Sequence, residues 1–463
     1  MSSIQLKSVA ALVAAVMLLP AARAADLSEI YHRALRNDPQ LREAEANRLA
    51  ALEARPQALA ALLPQLTGTG SYVHDELNQT FLYPDVTGTR LVPTPATTTS
   101  NTPQWAVQLR QTLFRWDQIA NLRKAGAQVA QAEVDFRAAQ ESVILRTATA
   151  YFNVLAARDT LQAAEASKEA IGHQLEQAEK RYEVGLIAIT DVEEAKAAND
   201  QAIATVIAAK RTLATNREQL REITGDAVDE LARPGDDMPL LTPEPASEDQ
   251  WVRAALDQNL DLSSARLAAD IARENVAAAR AGHYPTVDLV ARKSGLSSTA
   301  TETFNGGSPF SADSSSYDKQ VGVQVTVPLY VGGVNSSKTR EAVYRHRAAR
   351  EHLERTARET ERVTRDAYLG VISEISRVRA LKQALESSQT ALTATEAGYE
   401  VGTRTAVDVL LARQRLFDAQ TNYARSRYDY VINVLTLEQA TGSLDEARLT
   451  RVNGWLGQTV SVK

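Results

Sequence analysis

Tyr182-Glu183-Val184-Gly185 recurs letter for letter as Tyr399-Glu400-Val401-Gly402. The likeness spreads outward from both copies. Tyr151 with Tyr368, Asp191 with Asp408 and Gly225 with Gly442 each stand 217 residues apart. Toward the N-terminus, Leu35 with Leu256, Leu41 with Leu262 and Pro64 with Pro285 stand 221 apart. Between these anchors, Ala106-Val107-Gln108-Leu109 and Gly322-Val323-Gln324-Val325 pair at a spacing of 216. Ordered anchors with small drifts in spacing mark a tandem duplication, and each half can be read against the other.

On the C-terminal side of each tetrapeptide, a seven-residue period begins. It runs through Val192, Asn199, Val206, Leu213 and Leu220 in one half, and Val409, Leu416, Tyr423, Tyr430 and Leu437 in the other. Three residues after these sit small side chains: Ala195, Ala202 and Ala209, then Ala412, Ala419 and Ser426. Large and small residues alternating on a heptad seam suit knobs-into-holes packing and left-handed supercoiling. The preceding stretches, about 116–182 and 334–399, offer a matching stripe at Val129, Ala132, Phe136, Ala139 and Val143. Each reads as a helix about 100 Å long at 1.5 Å per residue. Gly185 and Gly402 supply the backbone freedom a tight helix-to-helix turn needs. Helical hairpins are therefore expected over about 116–224 and 334–441.

Upstream of each hairpin the pattern changes to period two. Trp105, Val107, Leu109 and Leu113 alternate with Gln108, Arg110 and Thr112, and Val321, Val323, Val325 and Val327 alternate with Gln324 and Thr326. Strands are expected at about 66–76, 104–114, 286–294 and 319–330. Each pair is joined by a polar loop, Leu77 to Pro103 and Gly295 to Asp318. Helices preceding the strands are expected over about Leu27 to Leu63 and Gln250 to Gly282, stopped by Pro64 and Pro285. Strands of about ten residues have membrane-barrel length, but four cannot close a barrel alone. If they enter a bilayer, several chains must share one barrel.

Composition narrows the function classes. The 463 residues include no cysteine, so disulfides, thiolate metal sites and cysteine nucleophiles are excluded. The six histidines show no zinc spacing. Net charge is −6, which gives no basic field for nucleic acid. The Arg-rich stretch Arg340 to Arg365 carries Glu four residues before Arg in four pairs, such as Glu341 with Arg345, as a solvated helix face does. No phosphate loop, dinucleotide fingerprint, metalloprotease helix or nucleophile elbow occurs, so an enzyme is not expected and no cofactor or metal is assigned. Residues 1–24, with Lys7, the apolar run Val9 to Leu19 and Ala22-Arg23-Ala24, read as an export signal. Beyond them no run of 18 apolar residues occurs, so helical membrane spans are not expected.

The two hairpin turns concentrate the chemistry that remains. Around the first lie Lys180, Arg181, Val184, Gly185, Leu186, Thr190 and Asp191; around the second lie Tyr399, Val401, Gly402, Thr403, Arg404 and Asp408. The charged residues serve either as helix caps and solvated ends, or as a knot in which Tyr and Arg of one turn bind the Asp of the other. A knot of that kind closes a tube end and is released by a partner.

Several runs resemble the TolC family of outer-membrane channel-tunnels along essentially the whole chain after residue 24. They are Leu35 to Leu41 with Asn37-Asp38-Pro39, Leu63-Pro64-Gln65-Leu66, Thr147 to Leu155, Val184 to Val192, and Ala397 to Leu410. The resemblance implies a mostly α chain with a small β part that forms one third of a trimeric, 12-stranded outer-membrane β-barrel continued by a coiled-coil α-helical barrel in the periplasm. It also implies a homotrimer that meets outer-membrane lipid, a membrane-fusion adaptor and an inner-membrane pump of the RND, MFS or ABC type. By position, Thr190 and Asp191 match the family's gate acceptors, Tyr399 and Arg404 the groups that bind them, and Asp408 the acidic ring at the entrance. Val184-Gly185-Leu186 and Val401-Gly402-Thr403 match the tips that adaptors grip. Leu411 replaces a second entrance acid, and Lys180 replaces a Gln of the closed network.

The expected organisation is an export signal (1–24), a first repeat (25–235), a linker (236–249), a second repeat (250–442) and a C-terminal segment (443–463). The expected function is a passive exit duct for drugs, toxic small molecules and proteins, in efflux or type I secretion. The rival from another class is an exported coiled-coil scaffold or adhesin without a pore.

Overall fold

The computed structural model describes residues 26–235, 237–304 and 307–462, so the expected export signal lies outside the described residues. The helices are α1 (Leu27–Asn37), α2 (Pro39–Leu52), α3 (Ala54–Ala60), α4 (Trp116–Glu183), α5 (Ile189–Thr224), α6 (Glu248–Gln258), α7 (Leu260–Arg280), α8 (Val334–Glu400), α9 (Ala406–Ala440) and α10 (Glu446–Asn453). The strands are β1 (Gln65–Pro84), β2 (Leu91–Phe114), β3 (Glu230–Pro234), β4 (Thr286–Phe304), β5 (Phe310–Thr326) and β6 (Leu456–Ser461). Among the described residues no helix is long and apolar enough to cross a membrane.

The chain divides into two compact units. One comprises residues up to Asn47, Glu133–Ser264 and from Glu354 onward; the other comprises Arg48–Ala132 and Ala265–Leu353. α4 and α8 contribute to both.

In the first unit the core gathers around Tyr151, Phe152, Tyr430, Leu435 and Leu437, all buried. The Tyr151 and Phe152 rings meet edge-on at 5.4 Å, and Phe152 stacks on Tyr428 at 5.8 Å. Each such ring removed from water stabilises the fold by about 2–3 kcal/mol. The Tyr151 hydroxyl donates to the carbonyl of Ala232 at 2.5 Å, and burial raises its pKa well above the ordinary tyrosine range. Ala232 lies in β3, which pairs antiparallel with β6. That two-stranded sheet was not foreseen, because its short strands carry no alternating pattern. The heptad positions Val192, Val206, Leu213 and Leu220 and the small residues Ala195, Ala202 and Ala209 are buried, as are Val409, Ala412, Ala419, Ser426, Tyr430 and Leu437.

Two expected helices are broken. The span 27–63 divides after Asn37, because Pro39 has no N–H and holds Asp38 extended, at ψ 117°. Asp38 is buried and takes an ion pair from Arg146 at 2.5 Å. The span 250–282 divides at Asn259, whose side chain caps Leu262 N at 2.9 Å and donates to the Ala440 carbonyl at 3.0 Å. Asp38 and Asn259 occupy equivalent positions in the two halves.

In the second unit, four antiparallel strands form one sheet in the order β1-β2-β4-β5. The expectation of polar loops over 77–103 and 295–318 is corrected: most of the described residues in these spans are strand, and the β1–β2 hairpin turns near Asp85–Arg90. Thr and Ser, read as loop formers, are good strand residues where both faces of a sheet are exposed. Register separates the two faces. One carries Leu66, Leu109, Ala291 and Val321 in a row; the other carries Gln65, Arg110, Val290 and Gly322, then Thr67, Gln108, Arg292 and Gln320. On the polar face, buried Asp288 accepts from Arg110 at 2.6 Å. β1 and β5 are the sheet's edges and are exposed along their whole lengths.

Candidate functional site at the hairpin tips

The turn between α4 and α5 is closed by backbone bonds from Gly185 N to Tyr182 O (2.8 Å) and Leu186 N to Arg181 O (2.9 Å), with Gly185 at φ +77°. This double bond is a Schellman-type ending, in which the left-handed residue is glycine because a Cβ would strain it. The turn between α8 and α9 repeats the device, with Gly402 at φ +78° and bonds from Gly402 N to Tyr399 O and from Thr403 N to Gly398 O. The second turn is the better finished. The Thr405 hydroxyl accepts from Asp408 N at 3.2 Å, and Thr405 N donates to the Asp408 carboxylate at 2.9 Å, a reciprocal capping box. α5 has only Ala188 at the equivalent position and no side-chain cap.

The capping bonds, with Arg404 nearby, hold the Asp408 carboxyl below the usual carboxylate range. Lys180 is drawn back along its own helix to Glu176 at 2.6 Å, and this pairing raises its pKa. Among the described residues, neither bonds across to the opposite hairpin. Nor, among the described residues, does Asp191 bond to Tyr399 or Arg404, so the expected knot is not tied within one chain. Arg404 instead folds over Gly398, where a Cβ would lie 2.8 Å from its Cγ.

What does join the two hairpins was missed in the sequence. The Arg181 guanidinium sits over the Tyr399 ring, 4.7 Å from its centroid. Such a contact stabilises by about 0.5–1 kcal/mol at an exposed site and more when desolvated. Higher up, buried Gln174 on α4 donates to the carbonyl of Ala406, the first residue of α9, at 3.2 Å. Its Oε1 is buried without a partner among the described residues. Arg181 was visible as a charge beside the turn, but nothing in the spacing singled out Gln174.

Below the turns each hairpin has its own small core: Ala178, Val192 and Ala195 with Leu175 and Ile187, and Leu392, Val409 and Ala412 with Tyr399 and Leu416. The tips themselves are bare. Val184, Leu186 and Val401 are 70–76% exposed, a high value for aliphatic side chains.

The pattern of the outer membrane efflux protein family matches residues 30–226 and again residues 251–443. Two matches in one chain agree with the duplication. The chain is 37% identical over 434 residues to the outer membrane protein TolC of Vibrio cholerae, covering 94% of each chain. It is 30% identical over 441 residues to the alkaline protease secretion protein AprF of Pseudomonas aeruginosa, covering 94% of this chain and 88% of that one. The fold is similar to the crystal structure of the Campylobacter jejuni CmeC outer membrane channel, with a TM-score of 0.71 and 17% identity, covering 93% of this chain and 89% of that one. Near-complete coverage at these identities, on a chain whose two halves both carry the pattern, makes this protein a member of the outer membrane efflux protein family.

Proposed function

We propose that three copies of this chain form the outer-membrane exit duct of an efflux and type I secretion apparatus. The observation that carries this reading is the four-stranded sheet, with one apolar face, one polar face and two unpaired edges. Unpaired strand edges are not tolerated in hydrocarbon, so the edges must be shared. Three sheets joined edge to edge make twelve strands with lipid outside and water within. The hairpins prolong the passage into the periplasm, where Val184-Gly185-Leu186 and Val401-Gly402-Thr403 present bare tips to a membrane-fusion adaptor, itself bound to an inner-membrane pump. Transport in this component is passive.

The gate lies at the same end. Thr190, Asp191, Arg404 and Lys180 meet their counterparts across the hairpins of the assembled tube, Tyr399 adds its ring face to Arg181, and Asp408 places one carboxylate per chain at the entrance. Adaptor binding opens it by pulling the hairpins apart. Purified protein should run as a trimer in mild detergent and pass stepwise current in planar bilayers. A monomer that passes no current overturns the reading.

A further inference from the structure

Between apolar and aromatic rows, this face of the sheet carries a row of like charges. Lys293 of β4 and Lys319 of β5 are register partners, directly opposite each other, and both are exposed. Strand alternation puts them on the face of Val107, Val321 and Val323, away from the polar face of Arg110 and Asp288. Opposed side chains of like charge destabilise a sheet, and neither ammonium has an acidic partner within 4 Å among the described residues. The row has a definite height. Lys319 stands six residues from Val325 at the helix-proximal end, about 20 Å along the strand, or about 15 Å up a barrel whose strands tilt by roughly 40°. The next row outward holds Trp105 and Tyr317, and Trp105 lies over Gly295, where a Cβ would fall 2.6 Å from its indole nitrogen. Aromatic rows of this kind mark the level of lipid headgroups, and lysines one row inside such a belt extend their ammonium groups toward it.

We propose that Lys293 and Lys319 together bind the phosphate of an anionic lipid headgroup in the outer leaflet, one site per chain. The proposal rests on the duct reading, which turns this face to lipid. The phosphate supplies a counter-charge that no described residue provides within 4 Å and ties β4 to β5 at that height.

The test uses the full-length trimer in phosphatidylcholine vesicles containing a minor fraction of lipid A, bisphosphorylated or enzymatically dephosphorylated. Lipid co-purifying with the protein is counted by mass spectrometry, and single-channel current is recorded in parallel. Wild type should retain the phosphorylated lipid about tenfold above the dephosphorylated one, as two basic side chains at a membrane surface allow. Lys293→Gln with Lys319→Gln should lose that preference, Lys293→Arg with Lys319→Arg should keep it, and added inorganic phosphate should not displace the lipid. Equal retention of both lipids by conducting wild-type protein overturns the proposal without needing any variant to fold. So does equal retention by wild type and the glutamine variant, the result expected if an acid of the neighbouring copy supplies the charge. Absence of current in all preparations overturns the duct reading and this proposal with it.

Discussion

The contact of Arg181 with the Tyr399 ring makes a prediction that separates two accounts of the proposed gate. In the structure Tyr399 works through the face of its ring, 4.7 Å from the guanidinium carbon, and its hydroxyl does not reach Asp191. Tyr399→Phe keeps a ring face for the cation, whereas Tyr399→Leu and Arg181→Gln remove the interaction. At about 0.5–1 kcal/mol per contact, a threefold assembly that separates its hairpins on opening loses about 1.5–3 kcal/mol of closing free energy, or roughly 10- to 150-fold in the opening equilibrium. Open probability in planar bilayers at fixed voltage and low divalent concentration reads this directly. Tyr399→Leu and Arg181→Gln should each open the channel within that range, and Tyr399→Phe should shift it by less than about threefold. The reasoning is refuted if Tyr399→Phe opens the gate as far as Tyr399→Leu while Arg181→Gln leaves it unchanged. That result transfers the closing role to the hydroxyl and a bond to Asp191.

The duplicated joint and a half-buried acid give two further predictions. Gly225→Ala and Gly442→Ala both force alanine into a left-handed conformation, at φ +79° and +66°, costing about 1–2 kcal/mol. At Gly442 the new Cβ also falls 2.4 Å from the backbone oxygen of Gln258, whereas at Gly225 it meets only the movable Asn37 side chain at 3.2 Å. Gly442→Ala should therefore destabilise the fold by about 1–3 kcal/mol more than Gly225→Ala through overpacking, and so lower the melting temperature clearly further; equal melting shifts contradict this. The Glu141 carboxyl is pushed up to about 7 by burial, with Asp261 and Asp445 adding to the shift. Between its unfolded value of 4.5 and about 7 the folded chain holds a proton that the unfolded chain has released. Stability should fall as pH rises through that window and level off above it. Glu141→Gln should flatten this part of a melting-temperature profile, and a profile as steep as wild type removes Glu141 from the explanation.

The duplication and both hairpins were legible because coiled-coil packing writes a regular period into the sequence, and Gly185 and Gly402 punctuate it. Strand length was not legible. Pro93, Pro95 and Pro103 argue against strand, yet Pro93 and Pro95 lie beyond the last β2–β4 pair, Ala96 with Phe304, and Pro103 falls in the gap of that ladder between Asn101 and Gln104. Each proline keeps a register partner in β1 (Leu82, Thr80 and Tyr72) but has none in β4, so a missing N–H is tolerated on that side, and only the register reveals it. At the tips, the sequence singled out Tyr399, Arg404 and Asp191 as a set, but the fold gives Tyr399 to Arg181 and lays Arg404 along Gly398. Which charge meets which ring depends on how two hairpins are rotated about their axes, and no spacing within either hairpin encodes that angle. Gln174 was invisible for the same reason: its partner is a carbonyl 232 residues away.

The bare edges of β1 and β5 carry a genetic consequence. In the proposed trimer, a subunit whose edge cannot accept a neighbour does more than fail by itself, because the ring it joins is left with a gap that no other copy can fill. Proline placed at a ladder position of β1 should therefore behave as a dominant poison when co-expressed with the normal gene, and pore number should fall as the cube of the intact fraction. Tip substitutions, which leave the ring closed, should instead be tolerated in mixed assemblies.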